Sequence, residues 1–226
     1  MKIYGGMLVK NEAKKWLPRV CTIMQQICDK VIVLDDASTD NTIDVCLGFG
    51  FEVHRSDLSW WSVDELKQRR RLFNYLHSEA QVNDIILILD ADEIMFGSTD
   101  QIRNKLKSIP LDYKAFGFKL YDMWSDTQYR NDMYWQAHTH LWPMAIRKTG
   151  DIPKWVASSL HCGRFPFNLC HNVCDTNVKI KHMGWSNPVL RAEKYDRYML
   201  ADPNGECGNI EQYKSILDEN PCLEVF

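Results

Sequence analysis

No stretch of this chain is both long and apolar. The longest such run, Ile85 to Leu89, falls far short of the ~20 residues that span a bilayer, which excludes an integral membrane protein built from this sequence alone. A basic excess is also missing. The 27 Lys and Arg against 30 Asp and Glu leave a net charge of −3, so the surface is not prepared for nucleic acid or anionic lipid, and a small ligand is the expected partner. Residues Met1 to Gly6 carry no basic segment followed by a longer apolar one and run straight into a strand-like pattern. No signal peptide is therefore expected, and the location expected is cytoplasmic. Internal repeats and low-complexity tracts are absent as well.

What is there suits a folded α/β protein. The chain has 226 residues, of which 45% are apolar and 12% aromatic, enough to bury a substantial core. One domain over residues 1–226 is expected, with a regular half at 1–110 and a less regular half at 111–226 ending in a helical tail. Eight cysteines are present. Cys21, Cys28 and Cys46 fall inside apolar helical patterns, where a reduced thiol packs as a small hydrophobe, and all eight are expected as thiols.

The first hundred residues alternate between two periodicities. Ile3, Met7, Leu8 and Val9 predict a strand. Val20, Ile23, Met24 and Ile27 then fall at i, i+3, i+4 and i+7, predicting a helix with Pro18 in its first turn. Val31 to Leu34 is a continuous β-branched and aliphatic run, as in a strand buried on both faces, and it stops at Asp35-Asp36. Ser38, Thr39 and Asp40 offer caps to a helix closed by Gly48 and Gly50. A third strand at Phe51 to His54, a long helix from about Val63 to Ser78, the strand Ile85 to Leu89 and a helix near Asp100 to Ser108 complete the series. Strand, helix, strand, helix predicts a mostly parallel, doubly wound (Rossmann-like) sheet. Beyond Pro110, strands are predicted at Ala115 to Leu120, Met144 to Arg147 and Val178 to His182, with helical tail segments at about Asn187 to Tyr198 and Asn209 to Leu217.

In an open parallel sheet, ligands collect outside the carboxyl ends of the strands. Three strands here end in Asn11-Glu12, Asp35-Asp36 and Asp90-Ala91-Asp92-Glu93, so three polar clusters converge on one edge. If the backbone stays extended, Asp90 and Asp92 point the same way, and two like charges so close need a cation. Mg²⁺ or Mn²⁺ bound to a diphosphate meets that need, because such ions take one or two carboxylates and fill the remaining positions with water and phosphate oxygens. A solvated acidic turn ahead of the helix after Gly97 fits the same residues.

These blocks together resemble family 2 glycosyltransferases. Val31-Ile-Val-Leu-Asp-Asp-Ala-Ser-Thr-Asp-Asn-Thr42 is similar to that family's V-D-D-G-S-T-D-G-T block, with Ala37 where Gly is frequent. Ile86-Leu-Ile-Leu-Asp-Ala-Asp-Glu93 is similar to its DxD strand, and Met7-Leu-Val-Lys-Asn-Glu12 to its first strand and turn. The resemblance implies a GT-A fold, a nucleoside-diphosphate sugar donor (UDP-, GDP- or dTDP-sugar) and Mn²⁺ or Mg²⁺. It places Asn11, Glu12 and Asp35 or Asp36 at the nucleotide base, Asp90 and Ala91 at the ribose, and Asp92 with Asp90 at the metal. The family's basic residue ahead of the DxD strand falls on the run Arg69-Arg70-Arg71, of which Arg70 and Arg71 are the diphosphate candidates. A solvated helix face accounts for part of that run.

The segment Lys181-His182-Met-Gly-Trp185, followed by Arg191, Lys194 and Arg197, resembles a C-terminal block of some bacterial members. By that likeness His182 completes the metal shell, and Lys194 and Arg197 face the leaving diphosphate. For the base that activates a glycan, lipid-linked or protein acceptor, the aromatic segment offers Asp122, Asp126 and Asp132, with Asp126 placed first. Trp124, Tyr129, Tyr134 and Trp135 either stack on sugars or fill the core. His161, Cys162, Cys170, His171 and Cys174 form a rival group with soft zinc ligands, although their spacing matches no common zinc motif. A sugar-phosphate nucleotidyltransferase and an inactive nucleotide-sugar-binding relative are the competing functions; the first normally carries a Gly-rich basic loop where this chain has Lys10-Asn11-Glu12.

Overall fold

The computed structural model describes residues 1–156 and 162–226. Its first part follows the predicted alternation closely: β1 (Ile3–Val9), α1 (Leu17–Ile27), β2 (Lys30–Asp35), α2 (Thr42–Gly48), β3 (Glu52–Arg55), α3 (Trp61–Glu79) and β4 (Ile85–Ile88). A short strand that periodicity does not reveal, β5 (Glu93–Phe96), precedes α4 (Thr99–Ser108). It is only four residues long and takes in the last member of the acidic cluster, so neither its length nor its polarity announces a strand. Then come β6 (Ala115–Asp122), β7 (Gln128–Arg130), β8 (Trp142–Arg147), β9 (Val173–His182), α5 (Pro188–Ala201), α6 (Ile210–Ser215) and β10 (Leu223–Val225).

Among the described residues, eight strands form one sheet in the order β3-β2-β1-β4-β8-β6-β9-β5, and β7 pairs with β10 apart from it. The strands β3, β2, β1 and β4 run parallel. β8 enters antiparallel between β4 and β6, and β5 lies antiparallel on β9 at the far edge. The second half of the chain supplies β6, β8 and β9 to the same sheet, at the three places where strands were predicted beyond Pro110. Its pattern is broken by register shifts in β6, next to Gly117, against both neighbouring strands.

Burial explains why the strands read as continuous apolar runs. Val31 and Val33 of β2 join the core on one face of the sheet with α1 and α4, through Val20, Met24, Ile102 and Leu106. Ile32 and Leu34 join the opposite core with Leu72, Phe73 and Leu76 of α3. Adjacent residues serve opposite faces, as the pleat requires. A third, aromatic cluster of Trp124, Trp135, Trp185, Tyr213 and Ile216 roots α5 and α6. Trp124 and Trp135 therefore fill a core, and so does Tyr129, which packs in the first cluster.

The central strand β1 carries two consecutive glycines for the same reason. A Cβ on Gly5 would meet the ends of Met24 and Cys28 on one face, and a Cβ on Gly6 would meet Leu76 and Ile88 on the other. Absent side chains let both layers of helix close on β1, at the strand whose end carries Asn11 and Glu12. Gly6→Val is expected to lower folding stability by about 1–3 kcal/mol through overpacking, measured as the shift of the urea midpoint at unchanged slope.

Candidate active site

The acidic cluster does not stay extended. Glu93 N donates to Asp90 O at 3.1 Å and Asp90 N donates to the Glu93 carboxylate at 2.8 Å, which makes the segment a tight turn into β5. As a result the two aspartates separate. Asp90 turns to α3, where Arg69 Nη1 donates to Oδ1 at 2.8 Å and Arg69 Nη2 to Oδ2 at 3.3 Å, and Arg164 lies 3.2 Å away. Burial disfavours its charge, but Arg164 and Arg69 overcome this and hold the carboxyl far below its ordinary range. Glu93 is 1% exposed and receives both Nη groups of Arg164 at 2.6 and 2.5 Å.

Asp92 turns the other way. Lys194 Nζ donates to its Oδ2 at 3.0 Å, and His182 Nε2 lies 3.5 Å from the same oxygen. The strand register explains how His182 arrives: β9 sets it opposite both Glu93 of β5 and Asp122 of β6. Its Nδ1 sits 2.7 Å from Asp122 Oδ1, which also accepts from Trp185 Nε1 at 3.1 Å. Met183 N donates to Asp92 O at 2.8 Å, tying the acidic turn to the short helical turn Met183–Trp185. Burial again opposes ionisation of Asp92, and Lys194 and His182 outweigh it, so this carboxyl too lies well below its ordinary value. Burial and Lys194 push the His182 imidazole down, but Asp92 and Asp122 prevail and raise it to about 9.

These groups line a cavity of about 1640 Å³ together with Asn11, Glu12, Asp36, Glu65, Arg69, Ala91, Asp122 and Arg197. Its walls extend to Trp142, Trp155 and Phe167 of the second half. Arg197 stacks on Trp61, its guanidinium carbon 4.6 Å from the ring centroid.

No protein-family model matches this sequence, and no curated protein matches it. Among solved structures, S. aureus TarS residues 1–349, determined with UDP, superposes with a TM-score of 0.53 at 14% identity, over 97% of this chain and 70% of that one. The fold is GT-A-like. Mycobacterium tuberculosis glucosyl-3-phosphoglycerate synthase, determined with Mn²⁺ and UDP-glucose, gives a TM-score of 0.39 at 17% identity over 53% of this chain and 43% of that one, an overlap too partial to define a fold.

On this GT-A-like frame the sequence candidates fall into two groups. Gathered at the cavity are Asn11, Glu12, Asp36, Asp90, Ala91, Asp92, Asp122, His182, Lys194 and Arg197. Asn11 and Asp36 do structural work there. Asn11 has a positive φ of 53° and its side chain accepts from Thr39 N at 2.8 Å, stitching the turn after β1 to the turn after β2 rather than capping α1. Asp36 accepts from Ser59 Oγ, Trp60 N, Trp61 N and Gln68 Nε2, which anchors the start of α3. Asp90 faces Arg69 and Arg164, away from the Asp92–His182 pair, so the expectation that both aspartates address one cation gives way to the turn.

Outside the cavity are Asp35, Arg70, Arg71, Asp126 and Asp132. Asp35 is fully buried; its Oδ2 accepts from Ser38 N, and its Oδ1 has no partner among the described residues. A helix turns about 100° per residue, so with Gln68, Arg69, Leu72 and Phe73 facing inward, Arg70 faces solvent. Arg71 is spent on Ser56 and Gln68, and Arg69 is the arginine delivered to the site. Asp126 is exposed, and Asp132 is bound to Arg130 at 2.6 Å. Sequence reading missed Arg164, more than seventy residues from its partners; the one signal for it was the demand of several close carboxylates for more than one cation. Among the described residues no three His, Cys, Asp or Glu side chains gather as a metal cluster. Cys170 and Cys174 each donate to a backbone carbonyl, and His161 lies outside the described residues.

Glu12 behaves differently from the other carboxyls. Burial, and then the charge of Asp92, raise it from 4.5 to about 7 despite Lys15, Lys194 and Arg197. The folded state therefore binds this proton more tightly than the unfolded chain does, so ionising Glu12 removes stability as pH rises from about 4.5 to about 7. In metal-free buffer, Glu12→Gln is expected to gain stability relative to the parent as pH rises through that window, read from urea unfolding across a pH series. A gap that stays constant with pH would contradict the assignment.

Proposed function

We propose that this chain is a glycosyltransferase that takes a sugar from a UDP-sugar and requires Mn²⁺ or Mg²⁺. One observation carries the reading: Asp92 Oδ2 and His182 Nε2 lie 3.5 Å apart at the open end of the sheet, and Asp122 holds the other imidazole nitrogen. A carboxylate behind a histidine fixes the ring and raises its basicity as a ligand, a recurrent feature of metal sites. The donor set of one carboxylate and one imidazole, leaving room for water and phosphate oxygens, suits Mn²⁺ in particular. Asp92 and His182 would hold the ion, whose chemistry when bound is to neutralise charge on the departing diphosphate.

The chain's own groups do the rest. Arg69 fixes the rotamer of Asp90, so that this carboxylate meets the ribose hydroxyls in a single orientation. Glu12, with the Trp61–Arg197 stack beside it, forms the nucleoside end of the cavity. Lys194 and Arg197 supply positive charge where the leaving diphosphate develops negative charge. The acceptor enters past Trp142, Trp155 and Phe167. Of the three carboxylates named for the base, only Asp122 lines the cavity, and it is engaged by His182 and Trp185; we assign it the task of positioning His182. UDP is preferred over GDP and dTDP as the donor nucleotide because TarS, on the same kind of fold, was determined with UDP.

UDP should raise the melting temperature only when Mn²⁺ or Mg²⁺ is present, and one or more UDP-sugars should be turned over only with the metal. Asp92→Ala should abolish both effects. Asp122→Asn should weaken Mn²⁺ affinity, measured with UDP present, by about 10–100-fold while leaving the fold intact by circular dichroism, as loss of an outer-shell partner does elsewhere. If UDP stabilises the protein equally in EDTA, the metal-dependent reading fails.

A further inference from the structure

The position beside Asp92 and His182 is already filled by a positive group. Lys194 Nζ lies 3.0 Å from Asp92 Oδ2 and 3.3 Å from His182 Nε2, so one ammonium spans the two atoms assigned to the ion. It is held from a third side by the face of Trp185, 4.3 Å to the ring centroid. The lysine side chain is 14% exposed and comes from α5, whose N-terminus is fixed by Pro188 and by Asn187, which accepts from Leu190 N. The pocket it occupies exists because residue 184 has no side chain: a Cβ on Gly184 would overlap both Lys194 Nζ and Asp92 Oδ2. A half-buried carboxylate, a tethered ammonium and a glycine that makes room for it form a built cation site.

We infer that Lys194 is an internal counter-cation for Asp92 that a divalent ion must displace, so that the ion enters tightly only when a diphosphate is present to receive the freed ammonium. This rests on the metal assignment above and goes beyond it, since it sets the order in which ligands bind. An ammonium and a divalent ion cannot share one carboxylate oxygen and one imidazole nitrogen, because like charges would then stand within a few ångströms in a partly buried site. Without a nucleotide, the displaced ammonium would have no phosphate oxygens to turn to, only solvent and the neighbouring Glu12 carboxyl. With a diphosphate bound, Lys194 exchanges one anionic partner for another. Metal and diphosphate therefore assist each other through this side chain, and by linkage the assistance is reciprocal.

The test measures Mn²⁺ binding directly, by the loss of the free-ion electron paramagnetic resonance signal on titration of EDTA-treated protein, with and without UDP. The parent should bind Mn²⁺ weakly alone and at least about ten-fold more tightly with UDP, within the range usual for coupled ligands. Lys194→Met, which keeps the aliphatic stem against Trp185, should bind Mn²⁺ alone about ten-fold more tightly than the parent and show a smaller gain from UDP. Gly184→Ala should do the opposite, weakening Mn²⁺ with and without UDP, because its methyl group fills the cation position. Opposite signs from two substitutions in one pocket separate the effect from general damage to the fold, and Lys194→Gln should follow Lys194→Met. If the parent shows the UDP effect but Lys194→Met and Lys194→Gln bind Mn²⁺ alone no better than it does, the counter-cation role is overturned and the metal assignment stands. If Mn²⁺ binds in no case, with UDP or without, both are overturned.

Discussion

Compensation of carboxylates crowded at one edge of the sheet organises this molecule. Asp90, Asp92 and Glu93 fall within four residues, the first two half-buried at the cavity and the third fully buried, and a carboxylate withdrawn from water without a partner is among the costliest groups a protein can hold. The chain answers with three cations from three separate places. Arg69 comes from α3, Arg164 from the segment ahead of β9, and Lys194 from α5. Each of these pairs draws a distant stretch of sequence to the end of β4, and the cavity is the space left among them.

The separation of Asp90 from Asp92 follows from the same constraint. The turn from Asp90 to Glu93 lets the guanidinium groups of Arg69 and Arg164 serve Asp90 and Glu93 and leaves Asp92 to His182 and Lys194. Asp90 and Asp92 thereby acquire different surroundings, one gripped by the bidentate Arg69 and the other facing His182 and the ammonium of Lys194. The difference suits the proposed site, in which Asp90 keeps its guanidinium partners while Asp92 exchanges Lys194 for an ion.

Much of the fold was legible because burial on both faces writes a continuous apolar run, and Val31 to Leu34 and Ile85 to Leu89 are such runs. Amphipathic helices such as α1 were equally plain. Less legible was β5, four residues that begin with a buried glutamate whose partner lies far along the chain. At the site, Asp92 and His182 could be named from the blocks that contain them, as could Lys194 and Arg197. Which of three consecutive arginines faces inward depends on helix phase, and a run of like residues carries no phase of its own; Leu72, Phe73 and Leu76 set it in favour of Arg69. Asp126 and Asp132 looked available because a sequence does not reveal that one is exposed and the other is held by Arg130. The turn at Asp90 was hidden for a related reason, since extended and turned backbone put the same residues in the same order.

The proposed function turns on where a divalent ion sits. A crystal structure of the chain grown with Mn²⁺ and UDP, with anomalous scattering used to locate manganese, addresses this directly. One peak is expected, bonded to Asp92 Oδ2, His182 Nε2 and the diphosphate, with Asp90 still held by Arg69 and Lys194 turned from Asp92 toward phosphate oxygens. Bound UDP with no anomalous peak at Asp92, or manganese bound at Asp90 with the Lys194–Asp92 contact unbroken, would contradict it.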